Sequence, residues 1–395
     1  MKSKNVFVLA ILILTVKSLI AQTWNTNPDP NGDIWLTGDV PPRTQDYYDR
    51  MESIPDLILW EGAANYSLPP EVDNAEDTYW FPEIDAQGQY GYCAQAAGIY
   101  YTFTYEINRL RNIVTSANNT YEPYFTWNAL NLGDYKKGGD IDDGFDIVIN
   151  NGCPTKETFP IEKSEYTRWM TGYANYYSSM QNRIKEYSDI HFNTEAGYED
   201  LKHWIANHNA GDETGGVAPF EAWFGSLPIY PPTLIPESAH AGDIYLDEWG
   251  DVDEDGHAVT IVGYCDDVLV VIDNDGSFTN DEDNNGDGVI DIRDWERGAL
   301  KVANSWSINW GNGGFIWIPC SVLGNTPLDP ITEEPMPLYA FCVTAIEEYQ
   351  PEYTAKIKLS HEERDKFIAL TVAASSEINA EPPQTYDEGH YFEML

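Results

Sequence analysis

A cysteine at the junction of a loop and a helix is the first residue whose surroundings suggest chemistry. Residues 87–97 read QGQYGYCAQAA, so Cys93 follows a loop that contains Gly88 and Gly91. Beyond it, apolar residues recur at steps of three and four, which predicts a core-facing helix: Ala96, Tyr100, Phe103, Ile107 and Leu110. Unpaired N–H groups and the macrodipole at such a helix start favour the thiolate form of a cysteine. On this stretch alone, the simpler interpretation of Cys93 as a small buried apolar residue is slightly favoured.

A thiolate nucleophile also needs a base, and the base needs a partner that orients it. His257 differs from the other histidines because it stands at the mouth of the apolar, β-branched stretch 258–264, where a strand can aim its side chain. Asn304 ends another predicted strand and is followed by Ser305 and Trp306. A carboxamide oxygen can orient an imidazole, and neighbouring tryptophans can shield that bond from water. The alternatives are a structural histidine at a strand edge and a glycine-rich turn with aromatic packing.

The elements that must position these residues change along the chain from helices to strands. The patterns predict helices at 44–53, 143–151 and 198–207, and strands at 258–264, 268–272, 299–303 and 315–318. This order indicates an α+β domain with two lobes.

Composition and the terminal segments indicate which partners are excluded and where the protein is located. The formal net charge of −43 argues against nucleic acid and against an anionic membrane surface as partners, since both would repel the chain. Residues 1–21 have the layout of a secretory signal peptide, and their apolar run is shorter than the ~20 residues needed to span a bilayer. We therefore expect a secreted or extracellular protein, with the cell surface or periplasm as alternatives. Residues 22–67 are interpreted as an N-terminal arm or short pro-segment, 68–350 as the main domain, and 351–395 as a β-rich extension or the start of a further domain.

The cysteine count bears on disulfide bonds. An exported chain can form disulfides, but five cysteines leave at least one thiol unpaired, and Cys93 is the expected free one. Pairing among Cys153, Cys265, Cys320 and Cys342 stays open.

Together these blocks resemble the papain family (papain/cathepsin type) of cysteine peptidases, in a secreted bacterial-style form. The matching blocks are Gln87-Gly88-x-x-Gly91-x-Cys93, Gly138-Gly139 before a helix, Gly256-His257-Ala258-Val259, and Asn304-Ser305-Trp306 followed by Trp310-Gly311. They occur in the family's order and cover roughly residues 68 to 320. The resemblance implies a helical left lobe and an antiparallel, β-barrel-like right lobe, with the active-site cleft between them.

The family's roles carry over to matching positions. Cys93 would be the nucleophile, paired as thiolate with a protonated His257, and His257 the general acid and base. Asn304 would orient His257, and Gln87 with the Cys93 backbone N–H would form the oxyanion hole. The resemblance also implies a set of substrate-binding residues, in which Asp140 hints at a basic side chain of the substrate: Gly91, Gly138, Gly139, Asp140, Ile141, Ala258 and Trp306.

Several positions depart from the family pattern. Ala94 stands where an aromatic residue is usual, Tyr90 where a disulfide cysteine is usual, and Ser307 where glycine is usual. His257 and Asn304 also lie further from Cys93 than the ~130–150 residues expected, so the chain carries insertions. The arm is shorter than the family's folded inhibitory pro-domain.

One insertion, 273–296, contains an EF-hand-like loop at 283–294 that resembles the dockerin-type variant. Oxygen ligands fall at the required spacing, with Gly288 at the sharp turn and an aspartate at the last position. The predicted calcium ligands are Asp283, Asn285, Asp287, Val289 (through its carbonyl), Asp291 and Asp294. The alternative is a solvated acidic loop. Calcium here would stiffen the connection between the strands that carry His257 and Asn304.

The leading functional hypothesis is a secreted cysteine endopeptidase that acts on polypeptides through a thioester acyl-enzyme. Catalysis would need no cofactor, and Ca²⁺ is expected only as a structural ion. We expect a monomer without a membrane span. The alternative is a catalytically weak or silent, calcium-stabilised binding module. Amide transfer is disfavoured because Asn304 stands where such enzymes would carry aspartate.

Overall fold

The computed structural model describes residues 27–28, 34–35, 44–60, 62–76, 79–206, 215–224, 233–236, 238–250, 256–329, 333–351, 370–371 and 391–392. The predicted signal peptide at 1–21 lies outside the described residues. So do most of the segment 22–43 and most of the extension 351–395.

The helices are α1 Gln45–Ser53, α2 Cys93–Gln95, α3 Thr104–Arg111, α4 Pro123–Leu130, α5 Ile141–Asn151, α6 Tyr173–Ser179, α7 Glu195–Ala206 and α8 Cys320–Gly324. A π-helical segment, Ala96–Phe103, joins α2 to α3, so these three form one continuous central helix. The predicted helix at 44–53 is confirmed. The helix predicted at 143 begins two residues earlier, at Ile141.

The strands are β1 Asn27–Pro28, β2 Ile34–Trp35, β3 Glu71–Asp73, β4 Ile184–His191, β5 Ala218–Trp223, β6 Gly256–Leu269, β7 Arg297–Ala303, β8 Phe315–Pro319, β9 Tyr339–Ala345, β10 Leu370–Thr371 and β11 Tyr391–Phe392. Within the described residues, seven of them form one antiparallel sheet in the order β4-β9-β5-β6-β7-β8, with β3 paired to β6.

The α+β class is confirmed, but the sheet is open in the described part of the chain rather than closed into a barrel. The separate strand predicted at 268–272 is wrong. Strand β6 continues through the polar pair Asp266-Asp267 to Leu269, with a register irregularity against β7 between Cys265 and Leu269. Bulges let a strand absorb such a polar interruption without ending.

The two largest apolar clusters of the described residues both include residues of the sheet. One gathers residues of α7, β5, β6 and β7, including Leu201, Phe220 and Ile261. The other packs the central helix and α5 against β4 and β9, and it includes Tyr47 and Met51 from α1. The arm residues of α1 therefore pack on the main domain.

The central helix is more deeply buried than its apolar stripe predicts. Every residue from Cys93 to Asn108 is buried, and the polar side chain of Gln95 forms hydrogen bonds within the core. The Gln95 side-chain amide donates to Asp140 O at 2.9 Å, while its oxygen accepts from Thr126 Oγ1 at 2.7 Å. A Cβ at Gly144 of α5 would lie only 1.9 Å from Gln95 Oε1, so glycine permits this close approach.

All five cysteines lie in the described residues, are buried, and form no disulfide. The expectation of a free Cys93 is therefore confirmed, and none of the pairings left open is formed. Burial raises the pKa of Cys153 and Cys342, that of Cys265 to about 11 and that of Cys320 to about 12. These four thiols consequently stay protonated near neutral pH.

None of the helices in the described ranges is long and apolar enough to cross a membrane.

Candidate active site

The loop before Cys93 is held in place by the segment that follows β7. The backbone N–H of Gln87 donates to Ser305 O at 2.7 Å, and Ala86 forms a bridge with Trp306. The Tyr92 hydroxyl donates to Asp85 Oδ2 at 2.6 Å just before the helix begins. Cys93 thus starts the central helix from a loop whose position is set by several bonds, and only 1% of its surface is exposed.

His257 and Asn304 are brought together by the pairing of β6 with β7. His257 Nε2 lies 2.8 Å from Asn304 Oδ1. The other ring nitrogen, Nδ1, is buried and forms no hydrogen bond with the described residues. The first residues of the central helix contact β6, which brings Cys93 to the strand that carries His257. This is the arrangement expected of an oriented base with one nitrogen left for proton exchange.

Aromatic rings enclose the imidazole. The indole of Trp306 stacks on His257 with ring centroids 4.3 Å apart, and Phe224 meets the imidazole edge-on at 5.9 Å. Trp310 in turn packs against Trp306. These rings exclude water from the bond between His257 and Asn304, as predicted from the tryptophans. The predicted contact of Trp306 with substrate stays a prediction.

Burial controls the charge of His257. It lowers the pKa of the imidazole to about 4, while the hydrogen bond to Asn304 acts in the opposite direction and offsets only part of this shift. The surroundings therefore favour the neutral imidazole, the form that can accept a proton. A protonated His257 would need the negative charge of a neighbouring thiolate to overcome the cost of burial.

The Gln87 carboxamide is fixed on both sides. Its Nε2 donates to Tyr90 O at 2.9 Å, and its Oε1 accepts from the Ser305 hydroxyl. Because Gln87 is fully buried, these bonds determine which way its amide points. The same segment, 304–305, thus sets both the imidazole and the candidate oxyanion donor.

A tyrosine connects the central helix to the same segment. The Tyr101 hydroxyl donates to Asn304 O at 3.0 Å and accepts from the Asp85 backbone N–H at 2.8 Å. Thr260 Oγ1 of β6 donates to Ala97 O at 3.1 Å. The helix that starts at Cys93 is therefore bonded to both strands that carry the other candidate residues.

The predicted substrate-binding residues have different surroundings. Ile141 and Ala258 are buried in the same apolar cluster as Cys93. Gly91 packs on the neighbouring loop: its N–H donates to Tyr135 O at 2.9 Å, and a Cβ there would lie 2.3 Å from Lys136 O. That N–H is therefore not available to a substrate. Gly138 lies buried and Gly139 half-buried just before α5.

Asp140 is already paired, which sequence reasoning missed. Its carboxylate bonds the guanidinium of Arg50 from α1, and Arg50 Nε also lies 3.3 Å from Asp142 Oδ2. Burial raises the pKa of Asp142 to about 7, while the Arg50 charge acts in the opposite direction. Because Arg50 neutralises Asp140 from within the chain, the hint that Asp140 selects a basic substrate side chain loses its support.

Aromatic rings surround Tyr90 in the loop that leads to Cys93. Tyr90, where the family has a cysteine, lies 6.1–6.4 Å between ring centroids from Trp127, Tyr135 and Tyr166. Ala94, the other departure in this loop, is buried and packs in the cluster that contains Cys93 and Ala258. The wide spacing of these tyrosines in sequence gave no signal that they meet.

The backbone conformation of Ser307 explains why glycine would suit the position after Asn304-Ser305-Trp306. Ser307 has φ +70°, in the left-handed region that favours glycine. Its N–H donates to Asp85 O at 2.9 Å, which ties this strained residue to the nucleophile loop.

Comparison with known proteins gives only distant likenesses. No family model and no curated protein matches the chain. Similar solved structures include xylellain, a cysteine protease from Xylella fastidiosa, with 18% identity and a TM-score of 0.49 over 74% of this chain and 92% of that chain. A ragweed pollen cysteine protease in its proform has 15% identity and a TM-score of 0.43 over 76% of this chain and 73% of that chain. Digestive procathepsin L2 proteinase from Tenebrio molitor larval midgut has 17% identity and a TM-score of 0.46 over 78% of this chain and 78% of that chain. At such identities and TM-scores, functional conclusions rest on the site itself.

Two substitutions that remove the Ser307 hydroxyl test its backbone strain. Glycine relaxes a left-handed residue whereas alanine does not, so we expect Ser307→Gly to be more stable than Ser307→Ala by about 1 kcal/mol. Urea unfolding measures both free energies of unfolding. Equal stabilities of the two variants would show that the position is not strained.

A variant without the thiol tests the effect of burial on His257. In Cys93→Ser, no thiolate can stabilise the imidazolium, so NMR titration should give His257 a pKa near 4. Since that value lies below the ~6.5 of an unfolded histidine, this group contributes stability above pH ~6.5 that is lost as the pH falls through about 4. A measured pKa at or above 6.5 in this variant would contradict the assignment. A higher value in the active-thiol protein than in Cys93→Ser would measure the charge of the thiolate.

Proposed function

We propose that this protein is a papain-like cysteine peptidase that cleaves polypeptides. The observation that carries the proposal is the water-shielded bond between His257 and Asn304, beside the helix that starts at Cys93. Its supports are the resemblance of the sequence blocks and the buried, bonded state of Gln87. The hydrogen bonds of His257 and Gln87 to the short run 304–305, which is distant from both in sequence, support the proposal.

The first half of the proposed reaction forms an acyl-enzyme. Neutral His257 takes the thiol proton of Cys93 at Nδ1 as the sulfur attacks the peptide carbonyl carbon. The resulting oxyanion accepts hydrogen bonds from Gln87 Nε2 and the Cys93 backbone N–H, a donor pair of the kind worth ~10²–10³ in rate per donor. His257 then donates its proton to the leaving amine, the C–N bond breaks, and a thioester remains on Cys93.

The second half returns the enzyme to its resting state. His257 removes a proton from water, which attacks the thioester carbonyl, and the C–S bond breaks to release the carboxylic acid. The sulfur recovers its proton from His257. Throughout both halves Asn304 Oδ1 accepts from Nε2–H, so the ring keeps one tautomer and one orientation while Nδ1 exchanges protons.

The alternative, a silent binding module with the same fold, is favoured by one observation. Cys93 and His257 are almost completely inaccessible in the structure, with 1% and 0% of their surfaces exposed. A substrate would have to reach the sulfur through the local opening of neighbouring side chains.

Labelling with a thiol-directed epoxide distinguishes the peptidase from the silent binding module. We expect one label per chain on Cys93, because the other four thiols are held protonated in apolar surroundings, and cleavage of a denatured protein between mildly acidic and neutral pH. Cys93→Ala should neither label nor cleave, whereas Cys153→Ser should do both. Mass spectrometry locates the label. Absence of both labelling and cleavage in the unaltered protein would leave the binding module.

We also propose that the loop 283–294 binds Ca²⁺. Its side-chain oxygens already curl the backbone: Asp283 accepts from the N–H groups of Gly286 (2.9 Å) and Gly288 (3.0 Å), and Asp294 accepts from those of Asn285 (2.9 Å) and Asp291 (3.0 Å). The two glycines have the positive φ that a tight turn needs.

The donor set fits a hard cation. It offers four carboxylates, one amide oxygen and one carbonyl, the oxygen ligands that Ca²⁺ prefers. The guanidinium of Arg293 lies 2.8 Å from Asp287 and 2.6 Å from Asp291, so it offsets part of the same negative charge. The loop is closed at its base by a bond from Val270 N–H to Glu296 O, which joins the ends of β6 and β7. Bound Ca²⁺ would therefore stiffen the connection between the strands of His257 and Asn304.

A melting experiment tests the calcium proposal. At 100 times the dissociation constant, bound Ca²⁺ would add about 2.7 kcal/mol to stability, so a chelator should lower the unfolding midpoint by several degrees. Asp287→Asn keeps the loop's hydrogen-bond acceptor but removes a charge, and it should reduce the shift. Asp275→Asn, outside the loop, should not. An unchanged midpoint in the unaltered protein would contradict calcium binding.

A further inference from the structure

We propose that Glu71, His240 and Cys265 form a second metal site, selective for a divalent cation of the zinc class and separate from both the active site and the acidic loop. These residues come from β3, from a hairpin around residues 233–246 and from β6. Their ligand atoms all lie within 4.8 Å of one another. Cys265 lies eight residues along β6 from His257, so the site stands away from the catalytic end of that strand.

The geometry is close to what a tetrahedral cation needs. His240 Nε2 and Glu71 Oε1 are 2.8 Å apart. Zinc bonds of about 2.0–2.3 Å to nitrogen, oxygen and sulfur place donor atoms roughly 3.3–3.7 Å apart. The nitrogen and oxygen would separate slightly and the sulfur would move inward, which needs only side-chain adjustments of about an ångström.

The donor types select the cation. Thiolate and imidazole together favour zinc-class metals, whereas calcium and magnesium prefer oxygen alone. Three protein ligands leave a fourth position for water. The sulfur forms the buried floor of the site, with 2% of Cys265 exposed, while the His240 and Glu71 side chains are 28% and 44% exposed. A cation can therefore reach the sulfur from solvent.

The surroundings of His240 resemble the support that metal-binding histidines receive. Its second nitrogen, Nδ1, lies 3.6 Å from Asp243 Oδ2, which itself accepts from the Trp317 indole N–H at 3.2 Å. A carboxylate at the far side of the ring orients a ligating histidine. His240 also has φ +59° and packs on the Trp317 ring at 4.5 Å. A non-glycine residue keeps this conformation only where contacts with its neighbours hold it there.

Burial raises the pKa of the Cys265 thiol, and the hydrogen bond from the Asp267 backbone N–H acts in the opposite direction without cancelling that effect. Binding of the cation would release the thiol proton to solvent, leaving a thiolate bonded to the metal. The competing interpretation is a simple ion pair between His240 and Glu71 beside a buried thiol.

Such a cation would add a further link between β3, β6 and the hairpin. Strand β3 pairs with β6 over three residues, and the hairpin is held to β6 by a bond from Leu269 N–H to Ser238 Oγ at 3.2 Å. The site would therefore add to the stability of this corner of the sheet without taking part in catalysis.

Cobalt absorption tests the site directly. The Cys93→Ser variant serves as background, because it removes the proposed nucleophilic thiol as a competing metal ligand, and excess Ca²⁺ fills the acidic loop. Added Co²⁺ should bind with one equivalent per chain and give a thiolate-to-cobalt charge-transfer absorption. Zn²⁺ should abolish this absorption by competition and raise the unfolding midpoint.

Three variants in the same background decide the ligands. Cys265→Ser and His240→Gln should lose the absorption, and Glu71→Gln should weaken Co²⁺ binding at least tenfold. Cys320→Ser, a buried thiol elsewhere, should keep it. His240 and Glu71 are partly exposed, so their variants fold even where Cys265→Ser does not. No charge-transfer absorption in the background, or its persistence in His240→Gln, would overturn the proposal and leave the ion pair.

Discussion

The buried bond between His257 and Asn304 depends on the register of one strand pair. Thr260 of β6 lies opposite Ala303 of β7, and this alignment carries the next residue of the β7 segment to the imidazole. Because side chains alternate between the faces of a sheet, a slip of one residue would turn Asn304 away from His257. The aromatic rings around the bond and the loop between β6 and β7 both depend on the same alignment.

The central helix is the second part of this arrangement. Its own hydrogen bonds are internal, so its position comes from the side chains that join it to other elements: Tyr101 to Asn304, Thr260 to Ala97, and Gln95 to the residue before α5. Burial on all sides makes such bonds strong, since a polar group left unpaired there would be costly. The helix is therefore placed by a few specific contacts inside a close-packed core.

Local patterns predicted the parts of the fold that local physics controls. The α+β class, the helix after Thr44 and the strands around 258–264 and 299–303 follow from periodicity and turn residues. Asn304 as the partner of His257 was inferred instead from the chemistry of a carboxamide beside an imidazole and from the family resemblance. The prediction of a separate strand at 268–272 was wrong because Asp266 and Asp267 resemble a turn in the sequence. The bulge that accommodates them within β6 has no sequence signal. Burial of the whole central helix was missed because its contacts with α5 and with β6 come from segments distant in sequence. The Arg50–Asp140 pair and the tyrosines around Tyr90 join residues far apart in sequence, and a single sequence carries no signal of such contacts.

The absence of disulfides among the five cysteines determines how the fold responds to a reducing environment. A catalytic thiol works only while it is reduced, and many exported proteins lose their fold under reducing conditions because disulfides hold them together. Here no cross-link stands between the fold and a reductant, since all five sulfurs lie in the described residues and none is bonded to another. Reducing conditions, which the proposed nucleophile Cys93 would need, therefore break no cross-link among these cysteines.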